Sequence, residues 1–251
     1  MPNKDRQVDG LDERRKYLSL ISIAAAIAFA AMIGIYPGAT ASSVLPFGPD
    51  LSANGWQIMT FTHRKPARFT AQGPNTLLID ADRAVAVLWR QMKPAESNPA
   101  AAQWRWRIDA SVGPTDLARK GGDDRAMAVY FVFSKEGQQS GSVDLPSMMR
   151  SGQGYILTYV WGGSAPKGQF LPSPYLGEKA RTIVLKSASD SIGNWVSERV
   201  DLRADYRRAF GTAAPALVAV AISSDSDDTA GRNVAAISDL VVNPPDNIER
   251  K

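Results

Sequence analysis

The stretch WRWRID, residues 104–109, alternates large apolar side chains with charged ones. In an extended strand, successive side chains point to opposite faces of the sheet. Trp104, Trp106 and Ile108 would therefore share one face, while the two arginines and Asp109 share the other. This period of two predicts a half-buried strand with its tryptophans in a core and its charges in solvent.

Similar short runs recur along the chain and are separated by clusters of Gly, Pro, Asn and Asp. They cover residues 56–61, 67–71, 76–81, 84–92, 104–110, 126–133, 155–161, 181–187, 195–202, 216–224 and 234–242. Many short strands with such punctuation are typical of an antiparallel sandwich or barrel. We predict an all-β fold, an antiparallel β-sandwich, formed as a single domain by residues 42–251.

Two runs are apolar on both sides, AMAVYFVF (126–133) and ALVAVAI (216–222). Strands of this kind are covered on both faces, so we expect both to be central. One short helix is predicted at LRADYRRAFG (202–211), which carries acid early, base late and a terminal glycine. It is too short to form a layer and is expected to pack against an edge of the sandwich.

Composition excludes several kinds of site. The 251 residues include no cysteine and one histidine, which rules out cysteine nucleophiles, disulfides, cysteine-based metal centres and any pair of histidine ligands. His63 stands among basic residues and is expected in a strand edge or loop. The net charge of +4 comes from arginines interspersed with acids, as in residues 197–208, so no nucleic-acid partner is predicted.

Residues 17–36 form an uncharged apolar run that directly follows the basic triplet 14–16. Twenty helical residues span about 30 Å, the thickness of the hydrocarbon core of a membrane. Because basic flanks stay in the cytoplasm, the rest of the chain is predicted to be exported to the periplasm. The run therefore predicts an N-terminal hydrophobic helix that precedes the sandwich.

Two fates of this helix stay open. Its length favours an uncleaved anchor in the inner membrane, whereas the small residues Ala39 and Ala41 fit a signal-peptidase site. In the second case the protein is released after cleavage near Ala41. Either way, residues 1–41 are set apart from the folded domain.

The order of several motifs resembles one bacterial family. They are WRWRID, KGGDDRAMAVYFVFS (120–134), LTYVWGG (157–163), SPY (173–175), GNWVSERVDLRADYRRAFG (193–211) and VAISSDSDDT (220–229). Over roughly residues 50–242 the chain resembles DUF3047, a family of exported proteins without an established activity. More distantly, the tryptophan of GNW followed by VDL is similar to galactose-binding-like jelly-roll domains, which include carbohydrate-binding modules. These resemblances imply a jelly-roll-like sandwich and, by analogy, a glycan ligand.

An aromatic stripe, Tyr155, Tyr159 and Trp161, lies at alternate positions of YILTYVWGG (155–163). It is either core filling, the usual role of an aromatic strand face, or a surface on which sugar rings stack. Trp161 is the best candidate for stacking, because the two glycines after it allow a ligand or another backbone to come close. With Tyr175 in the Gly/Pro-rich loop that follows, Trp161 and Tyr159 are the candidate ligand-binding residues.

An acidic pair precedes one of the two strongly apolar strands, and an acidic triplet follows the other. Asp123 and Asp124 precede residues 126–133, and Asp225, Asp227 and Asp228 follow residues 216–224. If these strands pair antiparallel, the five carboxylates lie at the same end of the sandwich. Crowded carboxylates are relieved by a bound cation, an arginine or raised pKa values, so we predict a metal site, with calcium as the ion. The alternative is a solvated turn.

Three functions follow from these features. The first is a non-catalytic cell-envelope binding protein that recognises a glycan or another small polar ligand through Trp161, Tyr175 and the acidic loops. The second is a periplasmic interaction subunit or scaffold that contacts an envelope protein and is tethered to the inner membrane through residues 17–36. The third is a hydrolase that uses Asp124 and Asp227 as an acid/base pair.

Overall fold

The computed structural model describes residues 42–98, 100–135, 144–151 and 153–243. The predicted hydrophobic helix at 17–36 and the boundary near residue 41 lie outside these ranges, and both stay predictions. Within the described ranges, no helix has the length and apolar character needed to cross a membrane.

Strands make up most of the regular secondary structure in the described residues, with a few short helices. The strands are β1 (Ser43–Val44), β2 (Trp56–Met59), β3 (Arg68–Gln72), β4 (Thr76–Asp82), β5 (Val85–Gln91), β6 (Ala101–Ala110), β7 (Arg125–Phe133), β8 (Tyr155–Trp161), β9 (Phe170–Ser173), β10 (Gly177–Lys186), β11 (Val196–Asp201), β12 (Leu217–Asp225) and β13 (Arg232–Val242). The helices are α1 (Leu145–Ser151), α2 (Leu202–Phe210) and a 3-10 turn at Pro94–Glu96.

The strands form two sheets that pack face to face. The six-stranded sheet has the order β11-β6-β13-β4-β3, with β1 also paired to β13, and the seven-stranded sheet has the order β2-β5-β12-β7-β8-β10-β9. Neighbouring strands are antiparallel except β8 and β10, which run parallel, so the prediction of a wholly antiparallel sandwich is wrong at this pair. After β8 the chain passes to the edge of the sheet as β9 and then turns back as β10, which lies between β9 and β8. Because β10 is antiparallel to β9, it runs parallel to β8.

The core lies between the sheets and is rich in aromatic rings. Trp104 and Trp106 on β6 are fully buried, whereas Arg105 between them is exposed, as the alternating pattern predicts. The ring of Trp104 lies 6.2 Å from that of Phe131 on β7 and 5.8 Å from that of Tyr159 on β8. Such contacts join the two sheets and exclude water between them.

Strands β7 and β12 lie at the centre of the seven-stranded sheet, as their apolar character on both sides predicts. Every residue of β12 is buried. On the outer face, Leu145 of α1 belongs to an apolar cluster with Val132 of β7 and Val218 of β12. Helix α1 was not predicted, because a seven-residue segment shows too few turns for a helical period to appear.

The predicted helix is present as α2 and bridges both sheets at one edge. Asp201 caps its start by accepting hydrogen bonds from the backbone N–H of Arg203 (3.0 Å) and Ala204 (2.9 Å). Gly211 ends it with a left-handed φ of 79°. Between these ends, Tyr206 is buried with its ring 4.7 Å from that of Phe133.

Candidate functional site

The predicted meeting of the two acidic segments is present. Strands β7 and β12 pair antiparallel, with Asp225 opposite Arg125, so the start of one lies beside the end of the other. Asp124, Asp225 and Asp227 each offer a carboxylate oxygen, and these oxygens lie within 4.8 Å of one another. We call the five acids at this end of the sheet, Asp123, Asp124, Asp225, Asp227 and Asp228, the aspartate cluster.

Asp124 organises the turn that follows β12. It is fully buried, and its Oδ2 accepts hydrogen bonds from the backbone N–H (2.7 Å) and Oγ1 (2.6 Å) of Thr229. Its Oδ1 accepts a longer one from the backbone N–H of Asp228 (3.4 Å). Asp124 thus holds the turn over the end of the sheet, and this brings Asp227 next to Asp225.

Arg125 neutralises part of the cluster from within the fold. Its Nη1 lies 3.1 Å from Asp123 Oδ2 and 3.4 Å from Asp225 Oδ2, and it donates to the backbone carbonyl of Asp123 at 2.6 Å. Its Nη2 donates to the hydroxyl of Tyr130 at 2.7 Å, and Ser223 lies 2.8 Å beyond. Sequence reasoning missed this residue, although its position directly after two aspartates at the start of a buried strand was a usable signal.

Asp225 is the most perturbed member of the cluster. Burial raises its pKa to about 8, Arg125 opposes the shift, and the neighbouring Asp227 and Asp124 add to it. The residue is 8% exposed, and its buried Oδ1 accepts no hydrogen bond from an N–H or O–H donor, while a hydrogen bond shared with Asp227 contributes to the raised pKa. Burial and the proximity of Asp227 also raise the pKa of Asp228. The aspartate cluster therefore retains negative charge that its own arginines do not neutralise.

A loop between β2 and β3 supplies a second arginine, Arg64, to the aspartate cluster. Arg64 Nη1 contacts Asp227 Oδ2 at 2.5 Å, and Nη2 lies 3.6 Å from Asp228 Oδ1. The Arg64 side chain is 48% exposed, so it approaches the cluster from the solvent side. Sequence reasoning missed Arg64 and treated it only as one of the basic neighbours of His63. His63 beside it is exposed in the loop, as predicted.

Tyr175 joins the cluster from the loop between β9 and β10. Its hydroxyl donates to Asp123 Oδ1 at 3.1 Å and accepts from the backbone N–H of Gly121 at 3.4 Å. Burial of the hydroxyl and the charge of Asp123 raise the pKa of Tyr175 to about 12. The residue is 56% exposed, with Lys120 Nζ 5.5 Å from the ring centroid. An aromatic face and carboxylates thus meet at one place on the surface.

Tyr159 and Trp161 lie elsewhere, in the core. They are 0% and 1% exposed, so neither ring presents a face to a sugar, and the core interpretation of the stripe describes them. Tyr159 donates its hydroxyl to Asp205 Oδ2 at 2.8 Å, and Trp161 packs edge-on against Trp106. Neither residue belongs to the aspartate cluster.

The two glycines after Trp161 allow close packing against other parts of the chain. A Cβ on Gly162 would lie 2.9 Å from the Cβ of Arg125, and one on Gly163 would lie 2.5 Å from Leu117 Cγ. Their positive φ values of 148° and 75° also suit glycine. Gly162 therefore allows β8 to pack closely against the start of β7, where Arg125 enters the aspartate cluster.

The donor set fits a hard divalent cation. Calcium takes six to eight oxygen ligands at about 2.3–2.6 Å, so two ligands of one ion are at most about 5 Å apart. Three carboxylate oxygens within 4.8 Å meet this condition, and no N–H or O–H donor of the described residues occupies the buried Oδ1 of Asp225. Within the part of the chain that the structure describes, Asp124, Asp225 and Asp227 are the acidic residues whose spacing could hold a metal ion.

Comparisons with curated proteins and solved structures show little likeness beyond the general fold. No curated protein matches the sequence. Among solved structures, the xyloglucanase domain of NopAA from Sinorhizobium fredii is 10% identical, with 81% of this chain and 98% of that chain covered and a TM-score of 0.41. The family 11 carbohydrate-binding module of Clostridium thermocellum is 8% identical, with 80% and 94% covered and a TM-score of 0.36. At these scores the likeness carries no functional argument.

The family comparison is of a different kind, because it covers well over half of the sequence. The model of "Protein of unknown function (DUF3047)" matches residues 54–241, which extend from the turn before β2 into β13. The chain belongs to the DUF3047 family.

Proposed function

We propose that the protein is a non-catalytic binding protein of the cell envelope whose site is the aspartate cluster together with Tyr175. A divalent cation, calcium, is the first ligand, and a glycan or other small polar molecule binds beside it. One observation carries the proposal. The carboxylates of Asp124, Asp225 and Asp227 converge within 4.8 Å while no N–H or O–H donor reaches the buried Oδ1 of Asp225.

Charge balance supports the cation. Five carboxylates face the two guanidinium groups of Arg125 and Arg64, and the raised pKa of Asp225 indicates that a proton relieves part of the remaining repulsion. A divalent ion relieves the same repulsion better, because it interacts with several carboxylates at once. Binding of calcium at neutral pH would therefore release the proton from Asp225.

Tyr175 supports a sugar as the second ligand. Its exposed ring offers a flat apolar surface, and its hydroxyl already donates a hydrogen bond to Asp123. Carboxylates accept hydrogen bonds from sugar hydroxyls, and hydroxyl oxygens also fill open positions around calcium. A polyhydroxylated ligand would thus contact Tyr175 and the ion together.

A hydrolase is the second candidate, favoured by the raised pKa of Asp225 beside Asp227. Acid/base catalysis uses two carboxylates whose environments separate their pKa values. The pair would be Asp225 and Asp227 and not Asp124 and Asp227, because both oxygens of Asp124 are engaged by the turn. Turnover of a bound glycan would establish this candidate, and binding without turnover would support the first.

The envelope location rests on the sequence of residues 14–36. N-terminal sequencing of the exported protein distinguishes the two fates of the segment. A chain that starts at Ser42 indicates a released periplasmic protein. A chain that retains residues 17–36 indicates an inner-membrane anchor and would favour the alternative of a tethered interaction subunit.

The experiment that tests the site uses the full-length protein in a detergent without a sugar headgroup. Calcium is titrated by calorimetry, and envelope glycans are then surveyed with calcium or with chelator present. We expect calcium binding that Asp227→Asn abolishes and Asp116→Asn, an exposed control, leaves unchanged. Glycan binding should require calcium and be weakened by Tyr175→Ala. Absence of both calcium and glycan binding would reject the proposed function.

A further inference from the structure

The outer face of the six-stranded sheet carries arginines beside a tryptophan. On β6, Arg105 and Arg107 point away from the core, because they alternate with the buried Trp104 and Trp106. Trp195 lies directly before β11, with the guanidinium of Arg105 at 5.3 Å and that of Arg107 at 5.1 Å from its ring centroid. Stacking on the ring holds both guanidinium groups in place.

The basic surface continues along the paired strands β6 and β11. Arg199 lies opposite Gln103 in register, and its Nη1 donates to Gln103 Oε1 at 3.4 Å. Arg199 and Arg203 line an open depression of about 460 Å³ at this end of the strands. From Trp195 to Arg199 an extended strand advances about 13 Å. Four arginines and one aromatic ring thus lie along one strip of surface.

Trp195 differs from the other tryptophans of the chain. The five others, Trp56, Trp89, Trp104, Trp106 and Trp161, are at most 5% exposed, whereas Trp195 is only half-buried. An aromatic ring that stays partly in water offers apolar area that a ligand can bury. Together with guanidinium groups, such a ring suits a ligand that combines a flat apolar face with anionic groups.

Acids within the strip narrow the chemistry of the ligand. Asp109 Oδ1 lies 2.8 Å from Arg107 Nε, and Asp239 Oδ2 lies 3.9 Å from Arg105 Nη1. These carboxylates accept hydrogen bonds from hydroxyl groups, which each residue of a sugar chain carries and the backbone of DNA lacks. The strip therefore suits a sugar chain that also carries carboxylates for the arginines.

We propose that this strip binds an acidic polysaccharide, with a sugar ring against the exposed part of Trp195 and the carboxylates of the polysaccharide paired with Arg105, Arg107, Arg199 and Arg203. The strip shares no residue with the aspartate cluster. The inference therefore stands or falls independently of calcium binding, and chelator should not affect it.

The test uses the full-length protein in a detergent without a sugar headgroup and an oligogalacturonate as the probe. The fully methyl-esterified form of the same oligomer is the neutral match. We expect the acidic oligomer to bind at least about tenfold more tightly than the neutral one. The double variant Arg105→Gln/Arg107→Gln should lose about tenfold or more, whereas Arg68→Gln, an exposed arginine at the opposite edge of the same sheet, should not change the affinity.

Fluorescence gives a second readout, because Trp195 is the half-buried tryptophan. Bound oligomer should protect it from acrylamide quenching, and Trp195→Phe should remove that protected signal. If the double variant unfolds, Arg199→Gln repeats the affinity test. Three results would overturn the proposal: no binding, equal binding of the acidic and neutral oligomers, or tighter binding of single-stranded DNA of matched charge.

Discussion

Arg125 and Asp225 face each other across the central strands β7 and β12, and Arg125 Nη1 lies 3.4 Å from Asp225 Oδ2. The same nitrogen reaches Asp123, so one buried guanidinium serves both acidic segments. It does not reach Oδ1 of Asp225. The fold therefore neutralises Asp123 and Asp225 only in part, and the remaining repulsion with Asp227 and Asp124 contributes to the raised pKa of Asp225.

Replacement of Arg125 by methionine should strongly destabilise the fold. Removal of one partner from a buried ion pair leaves the other charges uncompensated and costs about 3–5 kcal/mol in the free energy of unfolding. Urea unfolding measures the loss. Arg68→Met removes an exposed pair with Asp80 and should cost less than about 1 kcal/mol. Equal losses in the two variants would contradict a neutralising role of Arg125.

Calcium should stabilise the protein through the aspartate cluster. At a concentration a hundredfold above its Kd, the ion adds about 2.7 kcal/mol, which corresponds to a rise in Tm of roughly 5–10 °C. Chelator should reverse the rise in a thermal melt. Asp227→Asn should remove most of the response and leave the calcium-free Tm nearly unchanged, because the pair lost with Arg64 is partly exposed. A Tm insensitive to calcium and magnesium would leave a solvated turn as the better description.

Asp225 should make stability depend on pH. Its pKa is raised on folding from an ordinary value of 3.8 to about 8, so the folded state holds a proton that the unfolded chain releases. This contribution to the free energy of unfolding is fully present below about pH 4 and is lost as the pH rises towards 8. Comparison with Asp225→Asn isolates it from other groups. The same proton should be released when calcium binds at pH 6, but not at pH 9.

Arg64 should compete with the cation for Asp227 and Asp228. An exposed ion pair is worth up to about 1 kcal/mol, so Arg64→Gln should raise the calcium affinity by as much as about fivefold. Lys65→Gln, in the same loop but paired with Asp82, is the matched control. A calcium titration by calorimetry compares the two. A fall in affinity in Arg64→Gln would show that the arginine supports the ligand instead of competing with it.

Gly162→Ala should cost more stability than Gly168→Ala. Both glycines have positive φ, so both substitutions carry backbone strain. At Gly162 the new Cβ would also lie 2.9 Å from the Cβ of Arg125, whereas at Gly168 no atom lies within 4 Å. The difference should be about 1–3 kcal/mol in the free energy of unfolding. A smaller difference would mean that β8 moves easily away from the start of β7.

The sequence alone determined most of the longer strands, one helix and part of the site. Alternation in WRWRID identified the buried face of β6, because the period of a strand is local. Apolar character on both sides identified β7 and β12 as central strands. Their antiparallel pairing then brought Asp124 and Asp225 to one end, a step that needs only strand direction and position in the chain.

Only the tertiary structure decided which groups meet these aspartates. Arg64 reaches Asp227 from a loop more than a hundred and fifty residues away in the chain, and Tyr175 reaches Asp123 from another loop. A period-two pattern assigns side chains to two faces of a strand. When both faces are apolar, as on β8, the pattern does not tell which face packs against the other sheet, and this was the case for Trp161. The packing of the second sheet makes that choice, because it buries one face against Trp106.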